Sequence, residues 1–204
     1  MSLAAILIDT WTTERLKTLS VWSHVPEEHL EFRLAPRART PHEHMVHQCV
    51  SEDTWMTKML GLETSLPALP ADESRGAFLR HYAEASGRRL ELLRACSPEW
   101  FEETARFFDT DRSRGWILVR RIAHTSHHRG QMTMILRALG VSLYSTYGPT
   151  ADTGGLFQHG APVIYRYPGV DELLDAEADG RPSPLPPLPS AGSQPLTERP
   201  TGVS

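Results

Sequence analysis

The sequence predicts an all-α fold built from four long helices. Four stretches repeat apolar residues at intervals of three and four positions, which is the spacing of a helix with one buried face. Helix-capping residues precede the later stretches, and a glycine or a proline-containing segment follows each of the four. The predicted helices cover residues 3–23, 41–60, 73–96 and 113–139.

The first two helices have clear end signals. Pro26 lies just beyond the end of the first helix. The second helix begins at "TPHE", where Thr40 is a natural N-cap, Pro41 suits the first helical position and Glu43 completes a capping box. Gly61 is its C-terminal signal. The apolar residues that define the first helix are Leu7, Trp11, Leu16, Leu19 and Trp22.

The third and fourth helices follow a long connection. The segment "GLETSLPALPAD" is long and contains prolines, so it can cross the end of a helical bundle instead of forming a tight hairpin. The third helix begins near Asp72 or Ser74 and stops at Pro98. The fourth opens after the possible caps of "DTDRS", and Gly140 is its C-terminal signal.

The C-terminal third differs in composition from the helical region, residues 1–145. We expect residues 146–180 to form an extension that packs on the helices, with an extended piece at "APVIYRY" and a short helix at "GVDELLDAE". Residues 181–204 are rich in proline, serine and glycine. Such a segment buries too little apolar surface to offset its conformational entropy, so we expect it to be disordered.

Composition and charge favour a cytoplasmic protein. The net charge of −4 gives no electrostatic reason to expect nucleic acid or an anionic membrane as a partner. The apolar run at residues 4–8 is too short for a membrane span and lacks the basic residues that begin a signal peptide. Cys49 and Cys96 form no CxxC pair and fall in predicted helices, which favours a reducing compartment.

The fourth helix contains three histidines in "HTSHHRGQ", residues 124–131. His124 and His128 are four positions apart, so they lie on one helix face and can bind one metal ion. The alternative is a solvated basic face, and the spacing alone does not choose between them. A zincin is excluded, because Thr125 stands where the HExxH motif needs glutamate.

A third ligand has to come from another helix. The second helix contains His42, His44 and His47. Of these, His47 is followed by Glu52 and Trp55 in the pattern H-x4-E-x2-W, although a single histidine in a helix is more often an ordinary, partly buried residue.

Together, "HQCVSEDTW" and "HTSHHRGQ" resemble the DinB-like family of damage-inducible and YfiT-type proteins. The resemblance covers roughly residues 1–145. It implies a four-helix bundle with a long crossover between helices 2 and 3. It also implies a divalent metal ion, usually zinc or nickel, held by His47, His124 and His128. Family members are often homodimers, and the apolar residues of the first helix agree with that expectation.

Three protein ligands leave a coordination position for a substrate, which is typical of catalytic metal sites. Because several family members are similar to transferases and isomerases that use bacillithiol, mycothiol or glutathione, the resemblance favours transfer of a low-molecular-weight thiol to an electrophilic small molecule. A metal-dependent hydrolase is the second hypothesis. A non-catalytic metal-binding stress-response or interaction protein is the third.

Other polar residues are candidates for supporting roles. Glu52 and Gln131 could accept hydrogen bonds from the ligand imidazoles, and Arg121 and Arg129 could bind a cosubstrate carboxylate. Each is also consistent with an ordinary solvent-facing residue. The segment that carries Tyr147, Asp152 and His159 could cover the site, although a turn-rich connector is the simpler interpretation.

Overall fold

The computed structural model describes residues 2–178, 185–189 and 197, and this part of the chain is mostly helical. The prediction of a mainly helical protein is therefore confirmed. The four long helices are α1 (Leu3–Ser23), α2 (Pro41–Thr54), α3 (Arg75–Ala95) and α4 (Arg114–Ala138), followed by a short α5 (Val170–Glu177). Two short strands, β1 (Thr104–Phe107) and β2 (Thr110–Ser113), precede α4.

The four long helices begin where side-chain caps supply hydrogen-bond acceptors for the first free N–H groups. Thr40 forms the expected capping box with Glu43 at the start of α2. Ser74 caps α3, and Ser113 caps α4. At the end of α2 the chain continues as a single π-helical turn from Trp55 to Met59. Such wide turns insert one extra residue and occur often at functional sites.

The helices pack so that α1 contacts α3 and α4, while α2 contacts α4 and α3. Their buried apolar residues form two clusters, one near each end of the helices. Between the clusters, α2, α3 and α4 carry buried polar residues that include Glu52, Arg89 and Arg121. Because buried polar groups require partners, this layer has to be satisfied internally.

The β1–β2 hairpin was not expected from the sequence. The two strands pair antiparallel, with Thr104 opposite Ser113 and Phe107 opposite Thr110. Phe108 at the turn has a φ angle of 51°, in the left-handed region. Four-residue strands are too short to show a clear alternation of apolar and polar residues. From this stretch the sequence therefore predicts only the N-terminal caps of the fourth helix.

Residues after α4 run back across the helices. The backbone N–H of Ser145 donates to the carbonyl of Ile164, so the segment that was expected to be extended lies beside the residues following α4. The short helix α5 contacts α1 and α3. Its Glu177 is buried and forms ion pairs with Arg75 and Arg166, which tie this segment to the start of α3.

The predicted disorder of residues 181–204 falls mostly outside the described residues. Residues 185–189 are described, and the Tyr144 hydroxyl donates to the carbonyl of Pro186 at 2.7 Å. Leu185 packs against the nearby apolar cluster. This short piece therefore contacts the rest of the protein, because it offers an apolar side chain and a free carbonyl. Among the helices in the described part, none has the length and apolar character needed to cross a membrane.

Candidate metal centre

Three histidine side chains from α2 and α4 converge at one point. His47 comes from α2, and His124 and His128 come from consecutive turns of α4. One ring nitrogen of each lies within 4.8 Å of the others. The separation between Nε2 of His47 and Nε2 of His124 is 3.4 Å, and that between Nε2 of His124 and Nε2 of His128 is 3.2 Å.

These distances fit a shared metal ion. Zinc–nitrogen bonds of roughly 2.0–2.1 Å at a tetrahedral angle place two ligand nitrogens about 3.3 Å apart. A hydrogen bond can account for one of these two contacts but not for both, because Nε2 of His124 takes part in each and carries either one proton or one lone pair. The Nδ1 atom of His128 lies 2.9 Å from the amide oxygen of Gln131, and because that oxygen can only accept a hydrogen bond we assign the ring proton to Nδ1. Its Nε2 lone pair therefore points at the cluster, as metal ligation requires.

The surroundings keep these rings in the neutral form. Burial lowers the pKa of His124 to about 3, with a further contribution from the positive charge of Arg121. Burial also lowers the pKa of His128 to about 4, and His47 adds to the effect. The pKa of His47 is lowered by burial and then by the charges of Arg39 and Arg121. Neutral imidazole is the form that binds metal, so the donor set is ready near pH 7.

The two residues expected to support the ligands occupy different positions. Gln131 contacts His128 directly, as described above. Glu52 instead accepts hydrogen bonds from Arg89 at 3.1 Å, from Tyr82 at 3.0 Å and from Gln48 at 3.0 Å. The expected hydrogen bond from a ligand imidazole to Glu52 is therefore replaced by contacts within the buried polar layer. The arginine of α3 that neutralises Glu52 cannot be recognised from the spacing within α2.

The two arginines considered for cosubstrate binding are both buried and engaged by the protein. Arg121 donates to Ser51 at 2.8 Å, to Gln48 at 2.9 Å and to Thr125 at 3.0 Å. Arg129 pairs with Glu14 of α1. Binding of a carboxylate by either guanidinium would require these contacts to be given up. A structural role, holding α4 against α2 and α1, accounts for both positions.

Trp55 is a site residue whose role the sequence motif did not explain. Its ring stacks on His124, with ring centroids 5.6 Å apart and an interplanar angle of 26°. Trp55 also makes edge contacts with Phe107 and Phe108 of the hairpin, at centroid distances of 5.3 and 5.9 Å. The π-helical turn starts at this tryptophan, and the hairpin supports it. Both irregular elements therefore contribute to the orientation of one candidate ligand.

The remaining histidines of these helices lie outside the cluster. The ring centroid of His44 is 5.4 Å from that of His128, and the Nδ1 atom of His44 is buried without a hydrogen-bond partner in the described part of the chain. His42 pairs with Glu73 at 2.5 Å. His127 is exposed.

The segment following α4 makes its contacts at other places. The hydroxyl of Tyr147 contacts Arg129 and lies 3.4 Å from a carboxylate oxygen of Glu14. Asp152 forms an ion pair with Arg137 at 2.8 Å. His159 is exposed. These contacts suit a connector held along α1 and α4, rather than a cover over the three histidines.

One relative of known sequence matches part of this chain. The chain is 31% identical to the uncharacterized protein YrdA of Bacillus subtilis over 99 residues, which are 47% of this chain and 58% of YrdA. The match thus spans less than two thirds of that relative.

Two solved structures share the fold. A DinB-like protein from Bacillus cereus aligns with a TM-score of 0.61 at 23% identity, covering 69% of this chain and 95% of the other. The DinB-like protein YjoA from Bacillus subtilis aligns with a TM-score of 0.55 at 15% identity, covering 66% and 91%. The model of the DinB family matches residues 1–155. The resemblance seen in the sequence is confirmed, and the chain belongs to the DinB family.

Proposed function

We propose that this chain is a divalent-metal-dependent enzyme that transfers a low-molecular-weight thiol to an electrophilic small molecule. The observation that carries the proposal is the convergence of three neutral imidazoles from two helices at metal-ligand distances. Three ligands leave at least one position of a tetrahedral ion for an exogenous group. Zinc and nickel both suit a set of imidazole ligands.

The protein's own residues prepare this centre for an anionic ligand. His47, His124 and His128 are neutral, so they leave the charge of a divalent ion uncompensated. Arg121 adds a buried positive charge that acts on His124 and His47. A divalent ion in such surroundings favours the thiolate form of a sulfur ligand.

The nucleophile has to be external because neither cysteine is suited to the role. Cys49 is buried, and burial raises the pKa of its thiol. Cys96 lies at the end of α3, where it donates to the carbonyl of Leu92, and burial raises its pKa as well. Both thiols therefore stay protonated near pH 7, and neither belongs to the histidine cluster. This supports a free thiol cosubstrate over a protein nucleophile.

The arrangement of the four long helices holds the candidate metal centre. We infer a four-helix bundle in which the chain crosses over between α2 and α3. The support comes from the helix contacts: α1 packs mainly on α3 and α4, and α2 packs mainly on α4 and less on α3. The main partner of each helix is therefore not the helix next to it in the sequence. This arrangement places the histidines of α2 and α4 side by side.

Turnover of a soft electrophile with glutathione, bacillithiol or mycothiol tests the proposed reaction. Metal-loaded protein should turn over the electrophile with at least one thiol, while His128→Ala should be inactive. His127→Ala is the matched control, because it removes an exposed imidazole next to the cluster. Equal rates for the loaded protein and His128→Ala with all three thiols would contradict the proposal. Metal-dependent hydrolysis, followed by non-catalytic metal binding, would then be the next hypotheses.

A further inference from the structure

A groove opens beside the histidine cluster, between the segment preceding α2 and the C-terminal half of α4. Its volume is about 500 Å³, within the range of roughly 300–1,000 Å³ found for small-molecule sites. We call it the Arg37/Arg39 groove. The residues that matter for its chemistry are Leu34, Arg37, Arg39, His44, Gln131 and Met134.

The groove adjoins the candidate metal centre through two of its lining residues. Gln131 accepts the hydrogen bond from Nδ1 of His128. His44 packs against the same ring, with centroids 5.4 Å apart. The electrostatic influence of Arg39 reaches His47. A small molecule in the groove would therefore contact the residues that surround two of the three candidate ligands.

In the described part of the chain, one arginine that lines the groove is paired with a carboxylate, and two are not. Arg33 forms a two-pronged pair with Glu43, at 2.9 and 2.6 Å. Within residues 2–178, neither Arg37 nor Arg39 forms an ion pair, and both are exposed. The groove thus presents two guanidinium groups without a carboxylate partner. A planar guanidinium matches the two oxygens of a carboxylate.

The rest of the lining suits the other parts of such a ligand. Leu34 and Met134 are exposed apolar side chains, with relative accessibilities of 44% and 57%. His44 is 4% exposed, and its Nδ1 atom has no partner among the described residues. That nitrogen is shielded from solvent, so the hydrogen-bonding group that the lining offers to a ligand is the exposed amide of Gln131. The lining therefore combines cationic, apolar and hydrogen-bonding surfaces.

We propose that the Arg37/Arg39 groove binds the carboxylate end of the small molecule whose other end reaches the three histidines. This inference rests on the proposed function, because it names the ligand class of the same centre. It assigns to Arg37 and Arg39 the role that the sequence suggested for Arg121 and Arg129. Carboxylate-bearing thiols are then favoured over neutral thiols of the same size.

Calorimetric titration with two probes tests the assignment. The probes are glutathione and its diethyl ester, in which both carboxylates are masked while the thiol is kept. For wild-type protein, the Kd of the ester should exceed that of the acid by about tenfold, the size of one hydrogen bond between charged groups. The ratio should fall to near one in Arg37→Gln/Arg39→Gln. It should stay near tenfold in Arg80→Gln/Arg120→Gln, which removes the same charge from exposed sites elsewhere.

A second comparison separates the groove from the metal. The tenfold preference should persist in metal-free wild-type protein, because the arginines and not the ion recognise the carboxylate. The assignment would be overturned if the preference for the acid over the ester disappeared when the metal is removed. It would also be overturned if that preference were unchanged in Arg37→Gln/Arg39→Gln, or if wild-type protein bound neither probe. If inorganic phosphate displaced glutathione tenfold more tightly than succinate does, the groove would be a phosphate site and the carboxylate assignment would be wrong. If no thiol supported turnover but the titrations gave the expected Kd ratios, the proposed reaction would be wrong. The assignment of the groove as a carboxylate site would still hold.

Discussion

Removing the amide of Gln131 should weaken metal binding without unfolding the protein. Gln131 is exposed, and its amide oxygen lies 2.9 Å from Nδ1 of His128. This hydrogen bond fixes the proton on Nδ1 and leaves Nε2 free to bind the ion. Gln131→Ala lets the ring rotate and change tautomer, so the ligand is no longer held in its binding orientation.

The expected loss is about 10- to 100-fold in metal affinity, the usual effect of deleting a hydrogen-bond partner of a ligand imidazole. That range corresponds to about 1.4–2.7 kcal/mol of binding free energy. Gln131→Glu keeps an acceptor at the same place and adds a negative charge, which makes the imidazole more basic. Its affinity should therefore equal or exceed that of the wild-type protein.

Competition with a chromophoric zinc chelator measures these affinities. His127→Ala serves as the control, because that imidazole lies next to His128 on α4 but outside the cluster. The control should bind zinc like the wild-type protein. If Gln131→Ala and Gln131→Glu both bound zinc with wild-type affinity, the role assigned to this hydrogen bond would be refuted.

Three further predictions concern stability and assembly. Glu14→Ala should lower the free energy of unfolding by about 3–5 kcal/mol, because it leaves the buried guanidinium of Arg129 without its carboxylate partner. Urea denaturation measures this change, and a loss below about 1 kcal/mol would contradict the prediction. Burial, with a smaller contribution from the charge of Arg166, lowers the folded-state pKa of His24 to about 4. Between about pH 4 and 6.5 the unfolded state therefore binds more protons than the folded state, and the free energy of unfolding decreases as the pH falls through that window. Between pH 7 and pH 5, metal-free wild-type protein should lose about 2 kcal/mol more than His24→Asn, whereas equal losses would contradict the assignment. We also expect a homodimer, since Leu3 and Trp116 remain 47% and 43% exposed near the starts of α1 and α4; light scattering that gives a monomer mass at micromolar concentration would contradict this.

The long helices were predictable because their signals are local. Thr40 and the residues around it form the capping box that the sequence indicated, and the bounds of all four helices agree with prediction within two residues, apart from the end of α2. There the helix changes to a π-helical turn at Trp55, which hydrophobic spacing does not reveal. The helix prediction follows from side chains within a few positions of one another, whereas the wider turn coincides with contacts between Trp55 and the hairpin that only the folded chain brings together.

The candidate site was predictable only in part, for the same reason. The four-residue spacing of His124 and His128 places both on one face of α4, but it does not select a third histidine. His44 and His47 are three positions apart on α2, and the family resemblance, rather than the spacing, favoured His47. In the structure, His47 joins the cluster and His44 packs beside it. The partner of Glu52 comes from α3, so only the folded arrangement shows it.

The metal content of purified protein tests the central claim most directly. Inductively coupled plasma mass spectrometry of wild-type protein should find one zinc or nickel ion per chain, and His127→Ala should retain it. His47→Ala and His124→Ala should each contain close to none, while circular dichroism shows that both remain helical. A full equivalent of metal in His47→Ala would contradict the three-histidine centre, because that residue is the only candidate ligand contributed by α2 within the described cluster.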